Sequence, residues 1–256
     1  MFIRRSVFDS EKYKKYALQF AEQIMLYKFQ DYISTFMHKK IIKQMKTVFI
    51  SMFMILAVAG FGQKKQSLFN GKNLKGWTIY VSDPKVNPEK FFYAKDGMIE
   101  TVGVPAGYIR TKKEYSNYRL HVEWCYPEKP TNSGVLLHVN GPDKIWVTHY
   151  QAQLKHGNAG DFIVHGVGEK ATIRDSVYVS TEKVKPVVPK LHPSNEKPAG
   201  EWNSFDITCK GNTVEVMVNG LLQNVATNCS LTKGGIGFQA EGSKIQFRNI
   251  WIEKIK

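Results

Sequence analysis

The chain is poor in cysteine and spaces what it has unhelpfully. Cys125, Cys209 and Cys229 form no CxxC pair and no metal-finger pattern, and an odd count excludes a fully paired intrachain disulfide framework. Cys125 and Cys209 lie in strand-like runs, where a free thiol acts as a small buried hydrophobe. The apolar run from Thr47 to Gly62 has 16 residues, short of the roughly 20 that a membrane-spanning helix needs. There is no internal repeat and no low-complexity linker, and Gly157, Gly160 and Gly166 do not open a helix as a phosphate-binding signature would. Although the formal charge is +14, no stripe of alternating basic and aromatic residues is present. The lysines stand singly or in pairs such as Lys64-Lys65 and Lys112-Lys113, which argues against a nucleic-acid partner.

What is present begins with an N-terminal plan. Residues 45–63 read MKTVFISMFMILAVAGFGQ: a Met-Lys start, an apolar run, small residues, then a polar stretch, as in a secretory signal peptide. Met45 supplies an initiator for it, so residues 1–44 are expected to be a spurious upstream extension, residues 45–62 the signal peptide and residues 63–256 the mature domain. The competing reading is a genuine helix from Glu11 to Phe36 ahead of a signal anchor. No cysteine stands directly after the apolar run to take a lipid, so no stable membrane anchor is expected, and the mature chain is placed in the periplasm or outside the cell. N-terminal sequencing of exported protein should begin near Gln63; a mature chain that keeps residues from 1–44 would refute this.

Beyond Gln63 the sequence alternates in short runs broken by Gly, Pro, Asn and Asp, the pattern of an all-β sandwich. Tyr118–Trp124 alternates cleanly, Val214–Val218 with Asn219-Gly220 and Leu221-Leu222 reads as a tight hairpin, and Lys244–Ile252 is a final strand with Ile245, Phe247 and Trp251 spaced for one face. A helical turn is expected only at Lys112–Tyr115 and in a few loops. The proline-rich stretch from Lys183 to Gly200 reads as one long loop, a usual place for function on a rigid scaffold.

Four stretches together resemble a known family: Leu68-Phe69-Asn70-Gly71-Lys72-Asn73-Leu74-Lys75-Gly76-Trp77, Asn132-Ser133-Gly134-Val135-Leu136-Leu137, Gly200-Glu201-Trp202-Asn203, and Gly235-Ile236-Gly237-Phe238-Gln239 followed by Phe247-Arg248-Asn249-Ile250. In order and spacing, across residues 67–255, they are similar to the 3-keto-disaccharide hydrolases. The resemblance implies a concanavalin-like jelly roll of two antiparallel sheets. It also implies a hydrolase or lyase acting on glycosidic bonds of 3-keto glycosides, without an organic cofactor. Two positions depart from the family pattern: His138 stands where an Arg is common, and Gln151 where an acid is common, and Gln cannot act as a base.

The chemistry implied is eliminative. A keto group at C3 acidifies the proton on C2; a base removes it, the C1 substituent leaves, and water adds to the product. A base, an acid and a donor or cation for the enolate oxygen are needed. By strand alternation, Arg119, His121, Glu123 and Cys125 share one face, Leu136 shares another with His138, Gln151 with Gln153 and Lys155, and Asp161 with His165. If these strands are neighbours, they make one polar surface. The catalytic candidates are therefore His138, Glu123, Asp161 and His165. Gln153 and Lys155 are expected to orient the substrate or donate to an oxyanion, with Asn132, His156 and the aromatic platforms Trp146 and Tyr150 as further sugar contacts. A divalent metal held by His and carboxylate suits the enolate role; no ligand set is assigned. Plainer readings stand beside these: His121 and Glu123 as a solvated strand face, His156 as a turn residue, His192 as exposed loop, His149 as packing, and Asn132 and Gly134 as turn geometry. Trp77, Trp124, Trp202 and Trp251 read as core or inter-sheet packing. The alternative function is a non-catalytic carbohydrate-binding module on the same fold, and a basic adhesion protein is a third reading resting on charge alone.

Overall fold

A computed structural model describes residues 22–23, 25–35 and 64–255. The chain divides into two units, residues 1–62 and 63–256. In the first, 25–35 is helical with exposed side chains; the apolar run of the expected signal peptide lies outside the described residues. No helix among the described residues is long and apolar enough to cross a membrane.

The second unit is a sandwich of two antiparallel sheets. The front sheet runs, edge to edge, β12 (Val187–Val188), β9 (Phe162–His165), β8 (Thr148–Gln153), β7 (Gly134–Asn140), β16 (Gly235–Ala240), β5 (Gly107–Thr111) and β2 (Trp77–Val81). The back sheet runs β15 (Leu221–Ala226), β14 (Thr213–Val218), β13 (Asn203–Lys210), β6 (Tyr118–Cys125), β17 (Ile245–Lys254), β4 (Met98–Thr101) and β3 (Phe92–Lys95), with β1 (Gln66–Ser67) also paired on β17. A separate hairpin joins β10 (Lys170–Ile173) to β11 (Ser176–Val179). Segments from both ends of the unit thus enter the sandwich, the last of them the final strand that the sequence predicts.

Alternation decides which side chains meet between the sheets. Tyr118, Leu120, Val122 and Trp124 of β6 are buried inward, while Arg119, His121 and Glu123 point outward. Opposite them Val135 and Leu137 of β7, Tyr150 and Ala152 of β8, and Ile236 and Phe238 of β16 complete the core. Phe238 stacks on Phe247 at 4.4 Å and on Trp77 at 5.6 Å, joining the sheets; Trp124 packs on Phe205 at 4.6 Å. All three cysteines are free and buried. Burial pushes the Cys209 and Cys229 thiols up to about 12 and raises that of Cys125 as well. Asn219 and Gly220, at φ 46° and 80°, make the tight hairpin turn expected of them.

Two bulges change the expected parity. Pairing of β17 slips between Arg248 and Trp251, with Asn249 at φ 50°, so Ile250 and Ile252 take the core positions and Trp251 turns outward. Trp251 therefore does not share a face with Phe247. There it lies under Lys65, 3.9 Å from its ring centroid, as Trp202 lies under Arg248 at 3.8 Å. The helical turn forms at Pro88–Phe91, not near Lys112: Asn87 caps it by accepting from the Glu89 N–H at 2.9 Å, and Pro88 sits in the first turn.

Candidate functional site

The outer face of the front sheet gathers a set of polar side chains that face away from the core. From β8 come His149, Gln151 and Gln153, from β9 His165, from β16 Gln239 with Glu241 just beyond it, and from β5 Tyr108 and Arg110. A continuous chain of hydrogen bonds crosses three strands. Gln153 Oε1 accepts from the backbone N–H groups of Leu154 (3.1 Å) and Lys155 (3.3 Å), which fixes its amide orientation. Gln151 Nε2 donates to Gln153 Oε1 at 2.9 Å and to Gln239 Oε1 at 3.2 Å. Gln239 Nε2 donates to Glu241 Oε2 at 2.8 Å, and Asn132 Nδ2 donates to the same oxygen at 2.9 Å. A carboxylate thus ends a row of amides whose orientations are set from both ends.

Gly134 explains part of this geometry. A Cβ there would lie 2.5 Å from the Gln151 amide, so any side chain at the NSG glycine would push Gln151 out of the row. The φ of Gly134 is not among the positive ones, so turn geometry is not the reason for a glycine there.

At one end of the row three rings stack. Trp146, 42% exposed, lies over His165 with centroids 6.0 Å apart, and His165 lies 4.4 Å from His149. Burial pushes His149 down to about 4 despite its Nδ1–H donating to Val147 O at 2.6 Å. Burial, helped by His149 and Lys185, pushes His165 down to about 3. Both imidazoles are therefore neutral at pH 7, and His165 Nδ1 is buried without a partner among the described residues. At the other end Tyr108, stacked on Tyr80 at 5.4 Å, and Arg110 hold Asp143 of the β7–β8 connection. The Arg110 guanidinium, against some desolvation, keeps the Asp143 carboxyl below its usual range, and the Tyr108 hydroxyl adds to this.

Several expected site residues fall elsewhere. His138 adopts φ 52° where β7 bulges between Leu137 and Asn140. The extra residue turns its ring inward, away from the face of Gly134 and Leu136, against Tyr118 at 5.7 Å. It is 1% exposed; its Nδ1–H donates to Leu231 O at 3.1 Å and burial pushes it down to about 4. Glu123 is on the back sheet, so β6 contributes nothing to the front face. There it accepts from Arg248 Nε at 2.6 Å and Asn249 Nδ2 at 3.0 Å, and although burial opposes ionisation these partners leave its pKa lowered. Tyr150 is fully buried in the core, its hydroxyl donating to Lys170 O at 2.6 Å, so it offers no platform. Asp161 pins the long loop: it accepts from Lys190 N at 2.9 Å and Asn158 Nδ2 at 3.1 Å. His156 stands beside Glu196, 3.6 Å away, in the same loop system. Lys155 is exposed at the Gln153 end of the row. The structure thus brings together Gln153, Asn132, His165 and Trp146, with Lys155 at the edge.

Sequence reasoning missed Glu241, Gln239, Tyr108, Arg110 and Asp143. The signal for two of them was available: Phe238 in the closing motif is a core residue, so Gly237, Gln239 and Glu241 must share the opposite face.

Residues 64–253 match the 3-keto-alpha-glucoside-1,2-lyase-like domain. The chain belongs to this family. Its jelly roll is similar to that of a "putative glycosyl hydrolase" of Parabacteroides distasonis ATCC 8503, at TM-score 0.55 and 23% identity over 75% of this chain and 94% of that one. It is also similar to the β-glucanase of Bacillus licheniformis, at TM-score 0.50 and 12% identity over 76% of this chain and 99% of that one. No curated protein matches the chain. Family membership and fold together mark a carbohydrate-acting or carbohydrate-binding jelly roll.

Proposed function

We propose that this 3-keto-alpha-glucoside-1,2-lyase-like domain cleaves the C1–O bond of glycosides carrying a ketone at C3, on the outer face of its front sheet. The observation that carries this is the Glu241 carboxylate, held at the end of an ordered amide row by Gln239 and Asn132. Both amides donate to Oε2, so Oε1 has no hydrogen bond from the protein among the described residues and is the basic atom. In the proposed sequence Glu241 takes the C2 proton, and the electron pair of that C–H bond passes to the ketone as an enolate. Collapse of the enolate forms the C1–C2 double bond and breaks the C1–O bond, and the protonated Glu241 returns its proton to the departing oxygen. Water then adds across the double bond and completes net hydrolysis. In this reading the Gln153 amide, whose Nε2–H groups have no protein acceptor among the described residues, and the Lys155 side chain stabilise the enolate oxygen. Trp146 supplies an aromatic face for a sugar ring.

Histidines 149 and 165, neutral through burial, serve as hydrogen-bonding groups rather than as imidazolium acids. Among the described residues no three His, Cys, Asp or Glu side chains gather as a metal-binding set, and each proposed step uses the chain's own groups. Export of residues 63–256 belongs to the same proposal, since glycoside polymers and their fragments are met outside the cytoplasm. One observation favours the second reading, a non-catalytic sugar-binding module: the row is built of amides, and Gln151 is a neutral group where an acid is common. Incubation of residues 63–256 with 3-keto-lactose, 3-keto-trehalose and a 3-keto aryl glucoside separates the two. Release of aglycone is expected; saturable binding without release would establish the module instead.

A further inference from the structure

Three hydrogen-bond donors on the front face converge on one carboxylate. Tyr108 Oη donates to Asp143 Oδ1 at 2.6 Å, Arg110 Nε to the same oxygen at 2.7 Å, and Arg110 Nη2 to Oδ2 at 2.9 Å. A guanidinium fork closing on both oxygens of a planar carboxylate is among the strongest and most shape-specific polar pairings in proteins. The receiving side is built into the sheet. Arg110 and Tyr108 are neighbours on one face of β5, which is paired on both sides, by β16 and β2, and Tyr80 stacks on Tyr108. The strand next to Arg110 carries Gly237 at the paired position, with no side chain, and Gln239 beside Tyr108. The subsite therefore opens directly toward the amide row.

The carboxylate it holds is not built in the same way. Asp143 belongs to the connection between β7 and β8, where Gly141, Pro142, Lys144 and Trp146 are all exposed and Gly141 turns the chain at φ 82°. This strap reaches back to the face through its own Val147, which packs with Tyr108, Leu136 and Val139. Asp143 is half-exposed, whereas the donors that hold it stand on a strand paired on both sides.

We propose that Tyr108 and Arg110 form a carboxylate subsite of the sugar face, filled by the chain's own Asp143, whose ligand is the carboxylate of an acidic sugar unit. This rests on the reading of the front face as the glycoside site and adds a substrate class to it: glycosides that carry a uronate. Binding of the uronate displaces Asp143 and lifts the strap, so the strap competes with the ligand and lowers its apparent affinity.

The test uses sodium glucuronate and glucose as probes, titrated calorimetrically into the full chain and two variants. Asp143→Ala should bind glucuronate at least about tenfold more tightly than the parent, because its competitor is gone; Arg110→Gln should remove glucuronate binding, and glucose should not discriminate among the three. Equal glucuronate affinity in the parent and in folded Asp143→Ala would overturn the proposal, as would glucose binding that matches glucuronate. If Asp143→Ala does not fold, Asp143→Asn keeps the shape and the acceptor for Tyr108 while removing the charge, and it must show the same tightening. Turnover of neutral 3-keto-lactose is measured on the same samples. Its absence with glucuronate binding intact would remove the catalytic reading alone, and its presence without any preference for glucuronate would remove this one alone.

Discussion

Glu241→Gln is expected to lower kcat on a 3-keto glycoside by on the order of a hundredfold to ten-thousandfold, the usual range for a general base. The replacement keeps the side chain's shape, and its amide oxygen still accepts from Gln239 and Asn132, which donate to Oε2 at 2.8 and 2.9 Å. What it loses is the ability to take a proton, so the fall should appear in kcat with KM nearly unchanged. The thermal midpoint should move little, because Glu241 is half exposed and makes no ion pair among the described residues. A variant that keeps parental kcat would remove Glu241 from the chemistry and leave it as an anchor for the amide row.

A second large effect is expected from acid. His138, His149 and His165 are buried and pushed down to about 4, 4 and 3, against 6.5 in an unfolded chain. Above pH 6.5 these groups are neutral in both states and contribute no pH dependence. Below it the unfolded chain binds protons that the folded chain refuses, so stability falls as pH drops from about 6.5 toward the folded values and levels off beneath them. By pH 5 each histidine should cost about 2 kcal/mol, a large share of the 5–15 kcal/mol typical of a domain. Urea unfolding at pH 7 and pH 5 measures this: the midpoint should fall markedly with the slope unchanged. A midpoint that does not move between the two would mean that these imidazoles reach water in the folded protein. The pH–rate profile, by contrast, should show no imidazole inflection near neutrality, since none of the three is charged there.

The fold was legible because alternation, tight-turn chemistry and four motifs agreed along residues 67–255. The site was only partly legible, for reasons visible at particular residues. Parity carries a side chain's direction only as far as the strand stays regular; the bulge at His138 reversed it there, and the one at Asn249 sent Trp251 outward. Alternation also says nothing about which sheet a strand joins, so the polar face of β6 looked as available as that of β8, although Glu123 lies on the opposite side of the sandwich. Asp143 escaped notice because its role depends on a connection folding back across the sheet to β5, a distance of 33 residues in sequence. Gln151 read as the loss of an acid, yet it is the central link of the row, which a side chain at Gly134 would break.

The three buried thiols have a practical consequence. Thiolate, the reactive form, is nearly absent at neutral pH when the thiols of Cys209 and Cys229 titrate near 12 and that of Cys125 is raised. A thiol-directed dye therefore reacts only with molecules whose interior has opened. Labelling rates resolved residue by residue would then act as three internal clocks. Cys209 on β13 reports how often the core side of the back sheet opens, Cys125 at the end of β6 reports the opening of the segment at Gly200 that meets it, and Cys229 reports the connection between β15 and β16.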